Sequence, residues 1–98
     1  MYYILQNMRP RRVQFFEHAA WYATSNRNID RTQILGTLVT TEFEGVDRSS
    51  GDGPPLIFVT RVTGGEFDGE TRWYTTLGEA KCGHFDICLL YTSDAADE

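Results

Sequence analysis

Apolar residues recur at three- and four-residue steps between Val13 and Thr24, where Phe15, Phe16, Ala19, Tyr22 and Ala23 would share one side of a helix. On that spacing His18 falls off the centre of the stripe. Upstream, Tyr2 to Gln6 has the aromatic and branched content of a short strand, which Pro10 with Arg9, Arg11 and Arg12 is expected to break. Downstream the period changes to two. Val39, Thr41 and Phe43 alternate with Leu38, Thr40, Glu42 and Glu44, as in a strand covered on one face and wet on the other, so Glu42 and Glu44 are expected in solvent. Arg31 to Leu35 supplies a preceding strand, with Gly36 at the reversal.

Asp47 to Pro55 reads as a loop, because Gly51 and Gly53 permit positive φ while Pro54 and Pro55 remove backbone donors. Leu56 to Thr63 resumes as a strand, Asp68-Gly69 marks a reversal, and Thr71 to Thr75 is the returning partner. Thr76 and Glu79 then form a capping box that opens a second helix, with Leu77, Ala80, His84, Ile87 and Cys88 on one stripe. Gly83 sits inside that helix at about 1 kcal/mol relative to alanine, which points to a close approach there. The order predicts an α+β domain: a small antiparallel sheet of about four to five strands with two helices packed on one face.

The 98 residues fit one domain with a thin core. No apolar run approaches the roughly 20 residues needed to cross a bilayer. Tyr2 to Leu5 is too short for a secretory core and its arginines follow it, so neither export nor membrane association is expected and the location is read as cytoplasmic. Cys82 and Cys88 lie six apart on one helix, a poor geometry for a disulfide, and a reducing compartment follows. The formal charge of −5 disfavours general nucleic-acid binding.

From Cys88 onward the chain reads CLLYTSDAADE, which resembles the in-frame translation of an adapter ligated onto DNA by transposase-based sequencing kits. That resemblance implies a domain over residues 1–87, a non-native tail over 88–98, and a gene cut where an insert ended, as in a metagenomic fragment. Without Asp94, Asp97 and Glu98 the formal charge becomes −2, and Cys82 is the single cysteine left.

A second resemblance rests on Gly45, Val46 and Asp47; Gly51, Gly53, Pro54 and Pro55; Phe58 and Thr60; Gly64, Gly65, Asp68 and Gly69; and Tyr74, Thr76, Glu79, Ala80, Gly83 and His84. These positions, within Thr37 to His84, are similar to a family of short proteins of bacteriophage and prophage-bearing bacterial genomes, with a looser likeness from Trp21 to Arg31. The chain departs from the family pattern at Arg48, where histidine is expected, at Glu42 and Glu44, where apolar residues are, and at Val59, where an acid is. The family implies a phage or prophage context and no particular reaction.

For chemistry, Asp47, Asp52 and His84 could converge if the loop folds toward the second helix, as a carboxylate-oriented imidazole or a metal site. Both aspartates are also ordinary loop formers, and a histidine on an apolar stripe is ordinarily core. DRSSGDG is no calcium loop, since Gly51 and Phe58 stand at positions five and twelve, where oxygen ligands are required. Nor is it a phosphate cradle, because a strand follows it and no helix N-terminus faces an anion. Cys82 is expected to be a buried structural thiol, and Trp21, Tyr22, Trp73 and Tyr74 are expected to serve the core.

No catalytic, cofactor-binding or metal residue is therefore assigned, and no cofactor is expected. The candidate surface is Asp47, Asp52, Gly53, Pro54 and His84. The reading is a non-enzymatic accessory domain that presents its Asp47 to Pro55 loop, or a strand edge, to a protein partner. The alternatives are a small enzyme or ligand-binding domain using Asp47, Asp52 and His84, and a nucleic-acid accessory using Arg9, Arg11, Arg12 and Arg27.

Overall fold

Tyr2–Gln6 (β1) and Arg9–Val13 (β2) form an antiparallel ribbon in which Gln6 opposes Arg9, Leu5 opposes Pro10 and Tyr2 opposes Val13. Pro10 thus lies inside a strand, contrary to the break expected from it. The reversal uses only Asn7 and Met8, both at positive φ (53° and 63°), the backbone of a tight hairpin turn whose twist matches the strands. In such a ribbon the closing pair Gln6–Arg9 exchanges both hydrogen bonds, and the next pair, Leu5–Pro10, directs its amides outward. A missing N–H there removes no ladder bond, and the free edge of β2 loses a donor. The fold is taken from a computed structural model that describes residues 1–49 and 53–96, with side chains described through residue 90.

Phe15–Thr24 forms α1, which closes with the Ser25 N–H donating to the Trp21 carbonyl at 2.9 Å. Four strands then make an antiparallel meander in chain order: β3 (Asn28–Ile34), β4 (Thr37–Phe43), β5 (Phe58–Thr63) and β6 (Thr71–Tyr74). A register shift between Asn28 and Asp30 bulges β3. The last element, α2 (Leu77–Ala96), lies across this sheet and continues past the residue 87 boundary read from the sequence. The expected α+β class of antiparallel strands with helices against a sheet is the class observed; the first strand pairs in a ribbon of its own.

Cross-strand register decides which residues meet α2. One row runs Asp30, Thr41, Thr60 and Arg72; the next runs Thr32, Val39 and Val62; a third runs Phe43, Phe58 and Tyr74. The β4 alternation holds, with Val39, Thr41 and Phe43 fully buried and Leu38, Thr40 and Glu42 half-buried. Phe43, Ile57, Phe58 and Ala80 form one core cluster, joined by Trp21, Tyr3 and Leu5, and Val39, Val62 and Ile87 form another. Burying Phe43 and Phe58 contributes about 1.5–3 kcal/mol each. On α2 the expected stripe points inward at Ala80, His84 and Ile87. The capping box is present: the Glu79 N–H donates to Thr76 Oγ1 at 3.1 Å, and the Glu79 carboxylate accepts from the Thr75 and Thr76 hydroxyls at 2.6 and 3.1 Å.

The first helix departs from expectation. Phe15 and Phe16 are 62% and 71% exposed, whereas His18 is the residue α1 buries. Its buried side is aromatic: His18 stacks near Tyr2, Trp21 and Tyr22, and Trp21 meets Phe43 edge-on at 5.4 Å. A ring nitrogen of His18 bonds the Glu44 carbonyl at 2.9 Å, which satisfies the polar atom that burial would otherwise strand. Cys82, expected in the core, is exposed on α2.

Candidate functional site

His84 gathers polar side chains from three strands beneath α2. Asp30 and Thr32 point inward from β3, two residues apart on one face, and Thr41 and Thr60 stand opposite each other on β4 and β5. His84 Nδ1 lies 2.7 Å from Thr41 Oγ1, and Nε2 lies 2.8 Å from Thr32 Oγ1 and 3.8 Å from Asp30 Oδ2. Thr41 Oγ1 in turn lies 2.6 Å from Thr60 Oγ1. A neutral imidazole has one donor and one acceptor, and hydroxyls both donate and accept, so the chain of contacts is satisfied in either tautomer. Burial pushes the His84 pKa below its ordinary 6.5, against a smaller opposing effect of the Asp30 carboxylate.

The order hydroxyl, imidazole, carboxylate is that of an activated nucleophile. The setting is different, because Thr41 and Thr60 are fully buried and His84 is 2% exposed. No reacting atom can approach Thr41 Oγ1 with α2 in place. What the network does is mechanical: it fastens the middle of α2 to β3, β4 and β5 at fixed register, and it reaches solvent at its β3 end, through half-exposed Asp30 and partly buried Thr32.

Asp47 is spent elsewhere. Its Oδ1 accepts from the Ser49 N–H at 2.8 Å and the Leu56 N–H at 3.0 Å, and its own N–H donates to the Met1 carbonyl at 3.1 Å. The Ser49 bond is the main reason its carboxyl lies below the ordinary 3.8. Asp47 is therefore a clasp across the neck of the loop, and its bonds and those of His84 go to different partners. Gly53 and Pro54 are exposed, and Asp52 lies outside the described residues.

A second polar cluster surrounds Glu44, which is 8% exposed and does not face solvent as its alternation suggests. The alternation ends at Phe43, because Glu44 and Gly45 both direct their N–H groups at the Ile57 carbonyl, at 2.8 and 3.3 Å. Gly45 adopts φ +78° and accepts from the Tyr3 N–H at 2.6 Å, joining the ribbon to the sheet. A Cβ on residue 45 would overlap the Tyr3 carbonyl. Under α1, the Glu44 carboxylate accepts from the Tyr22 hydroxyl at 3.3 Å and the Arg61 guanidinium at 3.2 and 3.3 Å, with Arg27 at 3.9 Å. Arg27 also pairs with Glu42 and lies 3.8 Å over the Tyr22 ring. A shallow groove runs beside this cluster between α1 and the loop neck, lined by Ala19, Ala23, Tyr22, Val46 and Arg48.

The sequence reading named His84 and missed Asp30, Thr32, Thr41 and Thr60. The signal was available: threonines at inward positions of covered strands need partners, as does a histidine on the apolar stripe of the covering helix. Among the described residues no three His, Cys, Asp or Glu side chains converge as metal ligands, and no helix is long and apolar enough to cross a membrane. No protein-family model, curated protein or solved structure matches the chain at a significant level.

Proposed function

We propose that the chain is a non-enzymatic interaction domain, working in the cytoplasm in a phage or prophage context and presenting its surface to a protein partner. The observation that carries this reading is α1. Phe15, Phe16, Ala19 and Ala23, the residues whose spacing marks an amphipathic helix, stand in solvent, while the helix is held to the body by His18, Trp21 and Tyr22. Consecutive exposed phenylalanines are the kind of patch that marks contact with another molecule. The groove beside Ala19 and Ala23 extends that patch to Val46 and Arg48, so the loop neck and the helix belong to one surface. The side chains suited to catalysis are committed to holding the fold: His84 to the threonines, Asp47 to the loop. Affinity capture with the tagged chain from phage-infected cells tests the reading. It expects a specific protein recovered above an untagged control, and recovery of none counts against it.

A further inference from the structure

Charge is divided unevenly along the chain. Residues 1–28 carry four arginines against the single acid Glu17, whereas the remainder carries five Lys and Arg against thirteen Asp and Glu. Leaving out residues 88–98 still leaves ten acids against five bases in that remainder. The ribbon and α1 form the cationic end of an anionic body. Arg9 and Arg12 are exposed on β2 and have no acidic partner among the described residues, and Arg11 holds only an exposed pair with Glu17 at 3.4 Å, which contributes little.

That cationic end carries the uncovered face of α1. Phe16, Ala19, Ala20 and Ala23 are all exposed at the i, i+3, i+4, i+7 spacing by which one helix face meets another. The three alanines permit close approach, and Phe16 supplies a large apolar contact. We infer that this face docks an acidic amphipathic helix of a partner protein, the apolar side of the partner on Phe16 and the alanines and its carboxylates over Arg9 and Arg11, which share one face of the ribbon. The inference rests on the interaction-domain reading and adds the surface and the chemistry of the occupant.

Other occupants fit less well. A second copy would bring the same arginines face to face, and like charge across an interface opposes association. A nucleic acid could stack on Phe16 but would find only alanines beside it, with no hydrogen-bonding group for a base, and an anionic body beyond the ribbon. An acidic helix matches both features at once.

Fluorescence anisotropy with defined probes tests this: a synthetic helical peptide with leucines on one face and glutamates on the other, its lysine-faced counterpart, a single-stranded oligonucleotide, and phosphatidylserine vesicles. The glutamate-faced peptide is expected to bind, more weakly as salt rises. Ala19→Glu is expected to weaken it on the order of tenfold or more, about 1.4 kcal/mol. Arg9→Glu reads the charge component independently of any effect of Ala19→Glu on the fold, and Lys81→Glu on α2 is expected to leave binding as it was. No retention of the glutamate-faced peptide, tighter binding of any other probe, or affinity unchanged by both Ala19→Glu and Arg9→Glu overturns the inference. Capture of a protein from infected cells that survives Ala19→Glu overturns this surface alone, whereas no capture at all removes the reading beneath it.

Discussion

Tyr74 lays its phenol against the backbone of Gly83, so closely that a Cβ at residue 83 would overlap the ring. The contact lets the end of β6 pack under α2 and explains why a helix interior carries glycine. It also leaves the Tyr74 hydroxyl buried with no hydrogen-bond partner among the described residues. Two substitutions should therefore run against habit. Gly83→Ala gains about 1 kcal/mol of helix propensity, but overpacking against the ring costs about 1–3 kcal/mol, and a net loss is expected in urea denaturation. Tyr74→Phe removes a polar group whose unpaired burial costs about 1–3 kcal/mol, so it should be neutral or stabilising. A marked loss in Tyr74→Phe would mean that the hydroxyl has a partner after all.

The His84 network sets a pH dependence whose sign is fixed by burial. The folded pKa lies below the ordinary 6.5, so between the two values the unfolded chain binds the proton more readily than the folded one. Stability is full above the unfolded value, falls as pH drops through the interval, and levels off below the folded value. Asp47 and Glu79 are lowered too, and their contribution is lost only below their ordinary 3.8 and 4.5, a separate and more acidic window. The denaturation midpoint is expected to drop between pH 7.5 and the folded His84 value and then to drop again in acid. His84→Asn should abolish the first step and keep the second. His84→Ala, which leaves a cavity and takes the imidazole partner from the Thr32 and Thr41 hydroxyls, should cost about 2–4 kcal/mol at neutral pH.

Much of the sheet was legible because its signals are local. Val39, Thr41 and Phe43 had to share a face whatever covered them, and Thr76 with Glu79 had to open a helix. The failures have a common physical cause, which is that periodicity reports a stripe but not which side of it the rest of the protein covers. On α1 two sides were apolar enough to bury, Phe15 and Phe16 against His18, Trp21 and Tyr22, and the aromatic side took the core because Tyr2, Phe43 and the Glu44 carbonyl lay opposite. Pro10 was misread because proline breaks a strand only where its amide must pair, and register decides that. The candidate site suffered likewise: His84 was visible as an inward residue, but its partners depend on which strands become neighbours.

Met8 and Leu35 hold positive φ (63° and 51°) at hairpin reversals, a backbone that costs an ordinary side chain about 1–2 kcal/mol. Both are exposed, so neither supplies core contacts that would justify the strain. Met8→Gly and Leu35→Asn are expected to stabilise the domain by about 0.5–1 kcal/mol each, the glycine gain reduced by its greater freedom in the unfolded chain. Their effects should add, because they sit on different hairpins. A stability drop on either substitution, measured by thermal melting, would show that the side chain makes a contact worth more than the strain.

Gly45 is the position where the ribbon is joined to the sheet, and substitution there should separate the two. Alanine at residue 45 meets both a left-handed backbone and the Tyr3 carbonyl, which cannot move without breaking the Tyr3–Gly45 hydrogen bond. A loss of about 2–4 kcal/mol is expected from strain and steric overlap together. Because His18 and the Glu44 carbonyl meet beside the same glycine, the damage should spread to α1 before it reaches β4 or β5. Hydrogen exchange can resolve this: in Gly45→Ala the amides of β1, β2 and α1 should lose protection well ahead of those of β4 and β5. Uniform loss across both sheets would instead mean that ribbon and meander unfold as one cooperative unit.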